Sequence, residues 1–497
     1  MNRFALAALA LLLAGGARAE TVISSAPTAH MSCSDGTCTP TAKNAVLNAS
    51  DLQGMLAAGD VTVATGAGAK SIAVEAPIAW ASTHTLTLHP DLNVNVKAVI
   101  AVEGGGGLNI APFVGGDLVM FPTGRIDFWD TDSSLTIAGA PYTLIADLPT
   151  FQQLIQEHAG GGWYALTKDY DAAGDGTYQN SVYWKLTAVF NGLNHTIANL
   201  NVAYESDSNN GFIGYNYGTI RDVRFANAHV SGGHAGIAAG TTVGPIVNVS
   251  TSGTVEGLDA GGVVGYVDDT FERGTTITRS SSSANVTGGR ECMIGGLVGG
   301  GYQITISYSH ASGTVSPGAH AMAGGLAGFA TNVVQSYATG HVAPTALYAY
   351  ERLGGLLGAT PYSQSNVVDS YATGQVDGPG RQSEAGGLIG SASGSSVRTS
   401  YATGLVTGSK DDPRLKHKVG RWGGFSGRDR TGQNSDDYWD VDTSGRDSAC
   451  GNKCSGITGL SDAALKSGLP AGFDRKVWAQ DPSINNGYPY LLKNPPE

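Results

Sequence analysis

Short segments in which apolar and polar residues alternate recur along most of the chain, and glycine separates them. Clear examples in the N-terminal third are Asp60–Ala64, Thr85–His89, Asn93–Lys97, Gly107–Ala111 and Ser134–Ala138. Alternation with a period of two predicts β-strands that bury one face. Strands this short, at intervals of roughly 8–15 residues, indicate an all-β chain with many tight turns.

A glycine-flanked apolar phrase then repeats from about residue 211 to residue 427. Its copies are Gly211–Gly214, Gly262–Gly265, Gly296–Gly299, Gly325–Gly328, Gly355–Gly358, Gly387–Gly390 and Gly424–Gly427. A second phrase, Ser-Tyr-Ala-Thr-Gly, begins at Ser336, Ser370 and Ser400, with a looser version at Ser307–Gly313. A repeat of roughly 30 residues is typical of solenoids and propellers.

The repeat predicts a right-handed parallel β-helix, or β-solenoid. No copy has helical periodicity, and a propeller blade needs four strands in about 40–45 residues, more than most copies supply. In a stack of coils, equivalent side chains lie about 4.8 Å apart. We therefore expect an interior row of Leu297, Leu326, Leu356 and Leu388, and a second row of Tyr308, Tyr337, Tyr371 and Tyr401.

Three short helices and a closing segment complete the predicted architecture. Ser50–Gln53 has the form of a capping box for a helix that ends at Gly59, and Asp147 with Pro149 begins a helix over Leu148–Ala159. A third short helix is predicted over Ser461–Ser467. Residues 20–45 are predicted to be an irregular lead-in, and the aromatic C-terminal tail is predicted to cap the last coil.

The two alternating phrases resemble the GLUG motif of bacterial secreted and surface proteins. These include filamentous-haemagglutinin-like adhesins and the non-catalytic N-terminal regions of some immunoglobulin A peptidases. The resemblance implies haemagglutinin-like coils over 60–146, a junction over 147–205, GLUG coils over 206–430 and a cap over 431–497. It implies no catalytic residues, because the family shares none.

The N-terminus and the cysteines indicate export. Residues 1–19 contain Arg3, an apolar run and the sequence Ala17-Arg18-Ala19, which is typical of a cleaved signal peptide, and residues 20–59 would open the mature chain. Cys33 with Cys38 and Cys450 with Cys454 are predicted to form local disulfides. No transmembrane segment is expected. The net charge of −12 argues against a nucleic-acid partner.

Charged residues precede several of the glycine phrases and form the first candidate site. The carboxylates are Asp259, Glu291, Glu351 and Glu384, interspersed with arginines. Paired carboxylates could act as acid and base on a polysaccharide. The alternative is a solvated row of mixed charges in which arginine offsets glutamate.

A basic loop forms the second candidate, and an aspartate-rich loop forms a weak third. The candidate binding residues are Arg414, Lys416, His417, Lys418, Arg421 and Trp422, which suit an acidic glycan. Asp169, Asp171 and Asp175 could suggest calcium, but the ligand spacing is incomplete. No cofactor is expected.

These features predict a secreted or cell-surface binding protein of the adhesin type, whose partner is a polysaccharide or a cell surface. The alternative is a polysaccharide lyase or glycoside hydrolase that uses carboxylates along one edge of the solenoid. A purely structural surface component is a third possibility.

Overall fold

The computed structural model describes residues 20–113, 115–203, 208–268, 274–345, 350–361, 365–378, 382–408, 420–430 and 433–496. The predicted signal peptide lies outside these residues. The described chain is a β-solenoid, as the repeat predicts, built from two successive stacks of parallel strands with separate cores. None of the helices in the described residues has the length and hydropathy of a membrane-spanning segment.

The first stack has three faces, each a ladder of parallel strands. One face contains Val46–Asn48, Glu20–Ser24, Ser71–Val74, Val94–Val96 and Leu118–Met120; the second contains Ile78–Trp80, Val99–Val102 and Arg125–Phe128; the third contains Thr37–Pro40, Val61–Ala64, Thr85–His89, Gly107–Ile110 and Ser134–Ile137. The five strands predicted from alternation are all present.

The prediction of an irregular lead-in is wrong for residues 20–45. Glu20–Ser24 pairs in parallel with strands on both sides. Met31–Ser34 and Thr37–Pro40 form an antiparallel hairpin, which the predicted Cys33–Cys38 disulfide closes. The start of the described chain is therefore part of the first sheet.

Helix α1, Ala49–Leu56, packs beside the first stack, and its cap differs from the prediction. The Asn48 side chain, rather than Ser50, accepts hydrogen bonds from the first helical amides, Ser50 N and Asp51 N. Helix α2, Leu148–Glu157, begins as predicted, with Asp147 as its cap and Pro149 in its first turn. Phe151 of α2 packs against Tyr164, Phe190 and Phe212, so α2 covers the first coils of the second core.

The second stack contains the glycine repeat. Its opening strands are Ala140–Ile145, Trp163–Leu166, Tyr170–Asp171, Ser181–Leu186, Val189–Asn191, Thr196–Ala198, Asn201–Ala203, Asn209–Asn216, Thr219–Gly236, Ala239–Thr242, Ile246–Gly261, Val264–Val267, Thr275–Thr278 and Ser281–Ser282. The regular coils follow as Asn285–Gly295, Val298–Gly301, Ile304–Ser307, His310–Ala311 and Val315–Ser316; then Met322–Gly324, Ala327–Phe329, Asn332–Val334 and Tyr337–Ala338; then Arg352–Gly354, Leu357–Ala359, Ser365–Val368, Tyr371–Ala372 and Val376–Asp377; then Glu384–Gly386, Ile389–Ala392, Ser395–Arg398, Tyr401–Ala402 and Val406–Thr407; and finally Arg421–Gly423, Ser426–Asp429, Asn434–Ser435 and Asp437–Asp440.

The predicted leucine row fills the interior of these coils. Leu297, Leu326, Leu356 and Leu388 are all fully buried. Their backbones are hydrogen-bonded from coil to coil at 2.9 Å, from the amide of each leucine to the carbonyl of the next. Burying one leucine stabilises a fold by roughly 1.5–3 kcal/mol, so this row is a substantial part of the core.

A row of hydroxyl groups follows a sharp corner in each coil. The corner residue has positive φ, between 46° and 55°, at Arg279, Tyr308, Gln335, Asp369, Thr399 and Asp436. The serine that comes next accepts a hydrogen bond from the serine amide of the preceding coil, along Ser280, Ser309, Ser336, Ser370 and Ser400, at 3.0–3.3 Å. This contact satisfies a buried amide at the corner and explains the serine of the second phrase.

The aromatic row differs from the prediction at one position. His310, rather than Tyr308, stacks on Tyr337 at 4.7 Å, followed by Tyr371 and Tyr401 at 4.7 and 5.0 Å. Ser309-His310-Ala311 is the true counterpart of Ser-Tyr-Ala, two residues later than Ser307-Tyr308.

The C-terminal tail lies along this aromatic row. After the last parallel strand, Ile457–Leu460, helix α3, Asp462–Leu465, leads to an antiparallel pair, Trp478–Ala479 and Tyr490–Leu491. Trp478 contacts Tyr371 and Tyr401, and the Asn494 amide donates to the Ser309 carbonyl at 3.1 Å. The tail therefore covers the side of several coils, back to the coil of Ser309.

Candidate functional site

The glycine phrases bend the chain so closely that no side chain fits between neighbouring strands. A Cβ at Gly299 would lie 2.8 Å from the Met293 carbonyl oxygen, and a Cβ at Gly427 would lie 2.4 Å from the Ala385 nitrogen. Glycine is required here for close backbone approach. The side chains just before and just after each bend are therefore brought together on one surface.

Two rows of side chains define this surface, which we call the glycine-bend surface. The first row is in register on seven successive coils: His234, Asp259, Met293, Met322, Arg352, Glu384 and Arg421. The second row stands seven residues later in each coil and includes Tyr266, Phe329 and Arg428. The rows touch where the His234 ring stacks on Tyr266 at 5.0 Å and where Arg428 bonds to Glu384.

Three arginines converge on Glu384 at one end of this surface. The Glu384 Oε1 atom accepts hydrogen bonds from Arg428 at 3.1 Å and from Arg421 at 3.3 Å, and the Arg352 Nε atom lies 3.9 Å from Oε2. The Glu384 side chain is 11% exposed, whereas those of Arg352 and Arg421 are 39% and 44% exposed. One nearly buried carboxylate therefore holds three guanidinium groups whose outer faces reach solvent.

Asp259 belongs to the same row but to a different environment. Its Oδ2 atom lies 3.0 Å from His234 Nδ1, and its Oδ1 atom accepts a hydrogen bond from the Met293 amide at 3.0 Å. Four coil steps separate Asp259 from Glu384, which is about 19 Å at the strand spacing of ~4.8 Å. Paired carboxyls of glycosidases stand about 5–10 Å apart, so these two do not form such a pair.

The other two carboxylate candidates do not join them. Glu291 is an exposed side chain that pairs with Arg290 at 3.3 Å. Glu351 is fully buried, and burial raises the pKa of its carboxyl to about 7. Its Oε2 atom accepts a hydrogen bond from the Ser383 hydroxyl at 3.3 Å, while Oε1 has no partner among the described residues. Glu351 and Glu384 lie on adjacent coils, but Glu351 has no path to a surface ligand.

The structure describes two of the six residues proposed from the basic loop. Arg414, Lys416, His417 and Lys418 lie outside the described residues. Arg421 is part of the arginine cluster at Glu384. Trp422, by contrast, is only 7% exposed and lies in the core beneath Gly408 and Gly420, so its side chain is not available to a surface ligand.

Each calcium candidate already has protein partners. Asp169 accepts a hydrogen bond from the Thr196 amide, Asp171 from Asn199, and Asp175 from the hydroxyls of Tyr170 and Tyr178. Each of the three carboxylates therefore has its own hydrogen-bond partners, and these contacts do not bring the three together.

A cysteine-containing group near the C-terminus is also occupied by covalent and hydrogen bonds. Cys450, Cys454 and Asp429 lie close together, but the two sulfurs form the predicted disulfide. The Asp429 carboxylate accepts a hydrogen bond from the Asn434 side chain at 2.7 Å. Oxidised sulfur is a poor metal ligand, so this group serves the fold.

Sequence reasoning missed two sets of residues. Arg428 joins the arginine cluster because it stands seven positions after Arg421, the same offset that relates the second row to the first row in every coil. This constant offset can be read from the sequence. Arg125, Asp127 and His195 form a polar group with Asp169 where the two stacks meet. Arg125 and Asp127 share the strand Arg125–Phe128, whereas Asp169 and His195 come from other coils, and no local pattern relates the two pairs.

Known proteins resemble parts of this chain. The family model described as the GLUG motif matches residues 291–316. A stretch of 146 residues is 35% identical to Halomucin of Haloquadratum walsbyi, and it covers 28% of this chain and 2% of Halomucin. The crystal structure of a "putative immunoglobulin A1 protease" from Bacteroides ovatus aligns with a TM-score of 0.41 and 20% identity, over 71% of this chain and 93% of that chain.

The match at 291–316 lies within one copy of the repeat and includes the glycine bend and the serine corner. The same bend and corner recur in register on the neighbouring coils. The chain is therefore a β-solenoid protein that carries a GLUG motif at residues 291–316 and repeats the same bend and corner on neighbouring coils.

Proposed function

We propose that this chain is a secreted or surface-displayed binding protein whose glycine-bend surface contacts acidic glycans without cleaving them. The observation that carries the proposal is the convergence of Arg352, Arg421 and Arg428 on Glu384. Three positive charges and one negative charge leave a local excess of two positive charges in a chain whose net charge is −12. Such a patch attracts polyanions against the general charge of the molecule.

The geometry of the cluster favours binding over acid–base chemistry. Guanidinium groups present planar pairs of N–H donors that match carboxylate and sulfate oxygens. Glu384 orients them from below: its Oε1 atom accepts hydrogen bonds from Arg421 and Arg428, and the Arg352 Nε atom lies 3.9 Å from Oε2. A general acid or base needs an oxygen that is free to exchange a proton with the substrate, and two arginines already hold Oε1 of Glu384.

The prediction of export supports the same function. The predicted signal peptide, the two disulfides and the GLUG-type coils all suit a protein that works outside the cytoplasm. An elongated surface with charges at coil spacing also suits a polymer, since several weak contacts add through avidity.

The test measures retention of the full mature chain on immobilised polygalacturonate and on neutral dextran. The double variant Arg352→Ala/Arg421→Ala is compared with Arg290→Ala, which removes an arginine that is 70% exposed and pairs with its neighbour Glu291. We expect binding to polygalacturonate and not to dextran. The double variant should weaken it by about tenfold or more, and Arg290→Ala should leave it unchanged.

Salt and product analysis complete the experiment. Raising the ionic strength shortens the Debye length from about 30 Å at 0.01 M to about 3 Å at 1 M, so retention should fall steeply. Equal binding by the double variant would refute the proposed surface. New reducing or unsaturated ends that disappear in Glu384→Gln would instead establish polysaccharide cleavage.

A further inference from the structure

A cavity lies where the two stacks of coils meet, and its residues are remote in sequence from the arginine cluster. It has a volume of about 480 Å³. The first stack contributes its last coil, with Arg125, Asp127 and Trp129, and the second stack contributes Asp169 and His195. A cavity of this size is within the range of small-molecule sites, about 300–1,000 Å³.

The polar groups of this cavity are held in fixed positions by one another. Arg125 donates two hydrogen bonds to Asp127, at 2.6 and 3.0 Å, and its third nitrogen lies 3.6 Å from Asp169. His195, which is 1% exposed, donates from Nε2 to the Ile126 carbonyl at 2.8 Å. Its Nδ1 lies 3.4 Å from Asp169. The pocket is therefore preorganised, which lowers the cost of binding a ligand.

The charges of the lining cancel. Arg125 and Lys168 contribute two positive charges, and Asp127 and Asp169 contribute two negative charges. The His195 imidazole at 3.4 Å, the hydrogen bond from the Thr196 amide and the Arg125 guanidinium together lower the pKa of Asp169 to about 2, so this carboxylate is ionised at neutral pH. A lining whose charged groups balance one another suits a ligand with many hydroxyls and no net charge.

An aromatic side chain borders the same cavity. Trp129 is 69% exposed, so most of its indole ring lies outside the core of the fold. An indole beside carboxylates and a guanidinium offers an apolar face together with hydrogen-bonding groups. A pyranose has the complementary form, with an apolar C–H face and hydroxyls around its edge.

We infer that this junction pocket binds a neutral saccharide of one or two pyranose units. Asp127, Asp169 and Arg125 take the ring hydroxyls, and Trp129 covers the apolar face. The site is independent of the acidic-glycan surface proposed above, because its lining shares no residue with the glycine-bend surface.

The test is titration of the full mature chain with a panel of neutral mono- and disaccharides, followed by tryptophan fluorescence and saturation-transfer NMR. The panel contains glucose, galactose, mannose, N-acetylglucosamine, cellobiose and lactose, with galacturonate as the acidic counterpart. Trp129→Ala is compared with Trp184→Ala, which removes another exposed tryptophan, 63% exposed, that does not line the pocket. Asp169→Asn provides a second variant within it.

We expect at least one neutral saccharide to bind in the millimolar range with little dependence on salt. Trp129→Ala and Asp169→Asn should weaken it at least tenfold, while Trp184→Ala and Arg352→Ala/Arg421→Ala should not. The arginine double variant separates this site from the acidic-glycan surface. Absence of binding across the panel, preference for galacturonate, or full binding by Trp129→Ala would overturn the inference.

Discussion

Asp437 occupies the end of the serine row and makes a pH-dependent prediction. In the coils before it, the position after the corner is a serine whose hydroxyl accepts the amide of the preceding coil. At the last coil the acceptor is the Asp437 carboxyl, whose Oδ1 takes the Ser400 amide at 2.9 Å. Asp437 is fully buried, and burial raises the pKa of its carboxyl to about 8.

The sign and size of the effect follow from this shift. Between the ordinary aspartate pKa of 3.8 and a folded value near 8, the folded carboxyl keeps a proton that the unfolded one has released. The stability it contributes is full below the unfolded pKa and falls by about 1.4 kcal/mol per pH unit until the folded pKa is reached. From pH 5 to pH 7 the loss is about 3 kcal/mol.

The perturbation is Asp437→Asn, which keeps the shape and the acceptor oxygen but cannot ionise. The assay is native-state hydrogen exchange of the amides in Tyr401–Ala402 and Asp437–Asp440, because a solenoid opens locally and a global melt would average over coils. Variant and parent are compared at the same pH, so the intrinsic exchange rate cancels. Asp436→Asn, at the exposed neighbouring position, is the matched control.

The expected result is a protection ratio of variant to parent that grows by about 100-fold between pH 5 and pH 7, since one pH unit corresponds to tenfold. The Asp436→Asn ratio should stay constant. A pH-independent ratio for Asp437→Asn would show that the carboxyl titrates alike in the folded and unfolded chain. Burial would then not control this group, and the reasoning would fail.

Two further predictions test the tail and the core. Trp478→Ala should destabilise the docked tail by about 3–5 kcal/mol, so residues 461–496 should become open to limited proteolysis. Trp184→Ala, which removes an exposed tryptophan, should leave the cleavage pattern unchanged, and an intact tail in Trp478→Ala would contradict its packing on the tyrosine row. Cys292 is buried, and burial raises the pKa of its thiol to about 11, so iodoacetamide should label it at pH 8 only after denaturation. Rapid labelling of the native protein, followed by mass spectrometry, would show that this part of the core is open.

Repetition made the solenoid predictable from sequence, and it also misled at one point. Each coil satisfies its backbone through the next, so the same residue types must return at the same corners, and the leucine row followed directly. The tyrosine row failed at Tyr308 because Ser307-Tyr308 matches the start of the phrase. The acceptor for the Ser280 amide is Ser309, which places His310 in the row.

The first strand escaped prediction because its inward residues are not both apolar. In Glu20–Ser24 the buried positions are Thr21 and Ile23, while Val22 faces outward. Alternation of hydrophobicity was therefore absent, although alternation of burial is present. The strand is held by its parallel neighbours on both sides, a constraint that no local pattern contains.

The candidate surfaces were predictable only where they follow the repeat. Arg352, Glu384 and Arg421 share one coil position, and the sequence placed them together. The junction pocket depends on the meeting of two stacks, which brings Asp127 to His195 across a distance in sequence that no repeat spans. Glu351 shows that prediction from the repeat also has to place each residue on the correct face. It stands one position before the first row, that position points into the core, and its carboxyl is therefore buried.

The glycine bend separates what the fold requires from what the surface carries. Close backbone contacts at Gly299 and Gly427 exclude any side chain, so these positions cannot vary without displacing a strand. The first row beside them has no such restriction, and it changes from His234 and Asp259 through two methionines to Arg352 and Arg421. Exchanging first-row residues between coils should therefore move a binding site along the solenoid while the stack keeps its form. Alanine at Gly427, whose Cβ would lie 2.7 Å from the Glu384 carbonyl carbon, should instead disturb the stack and displace the arginine cluster.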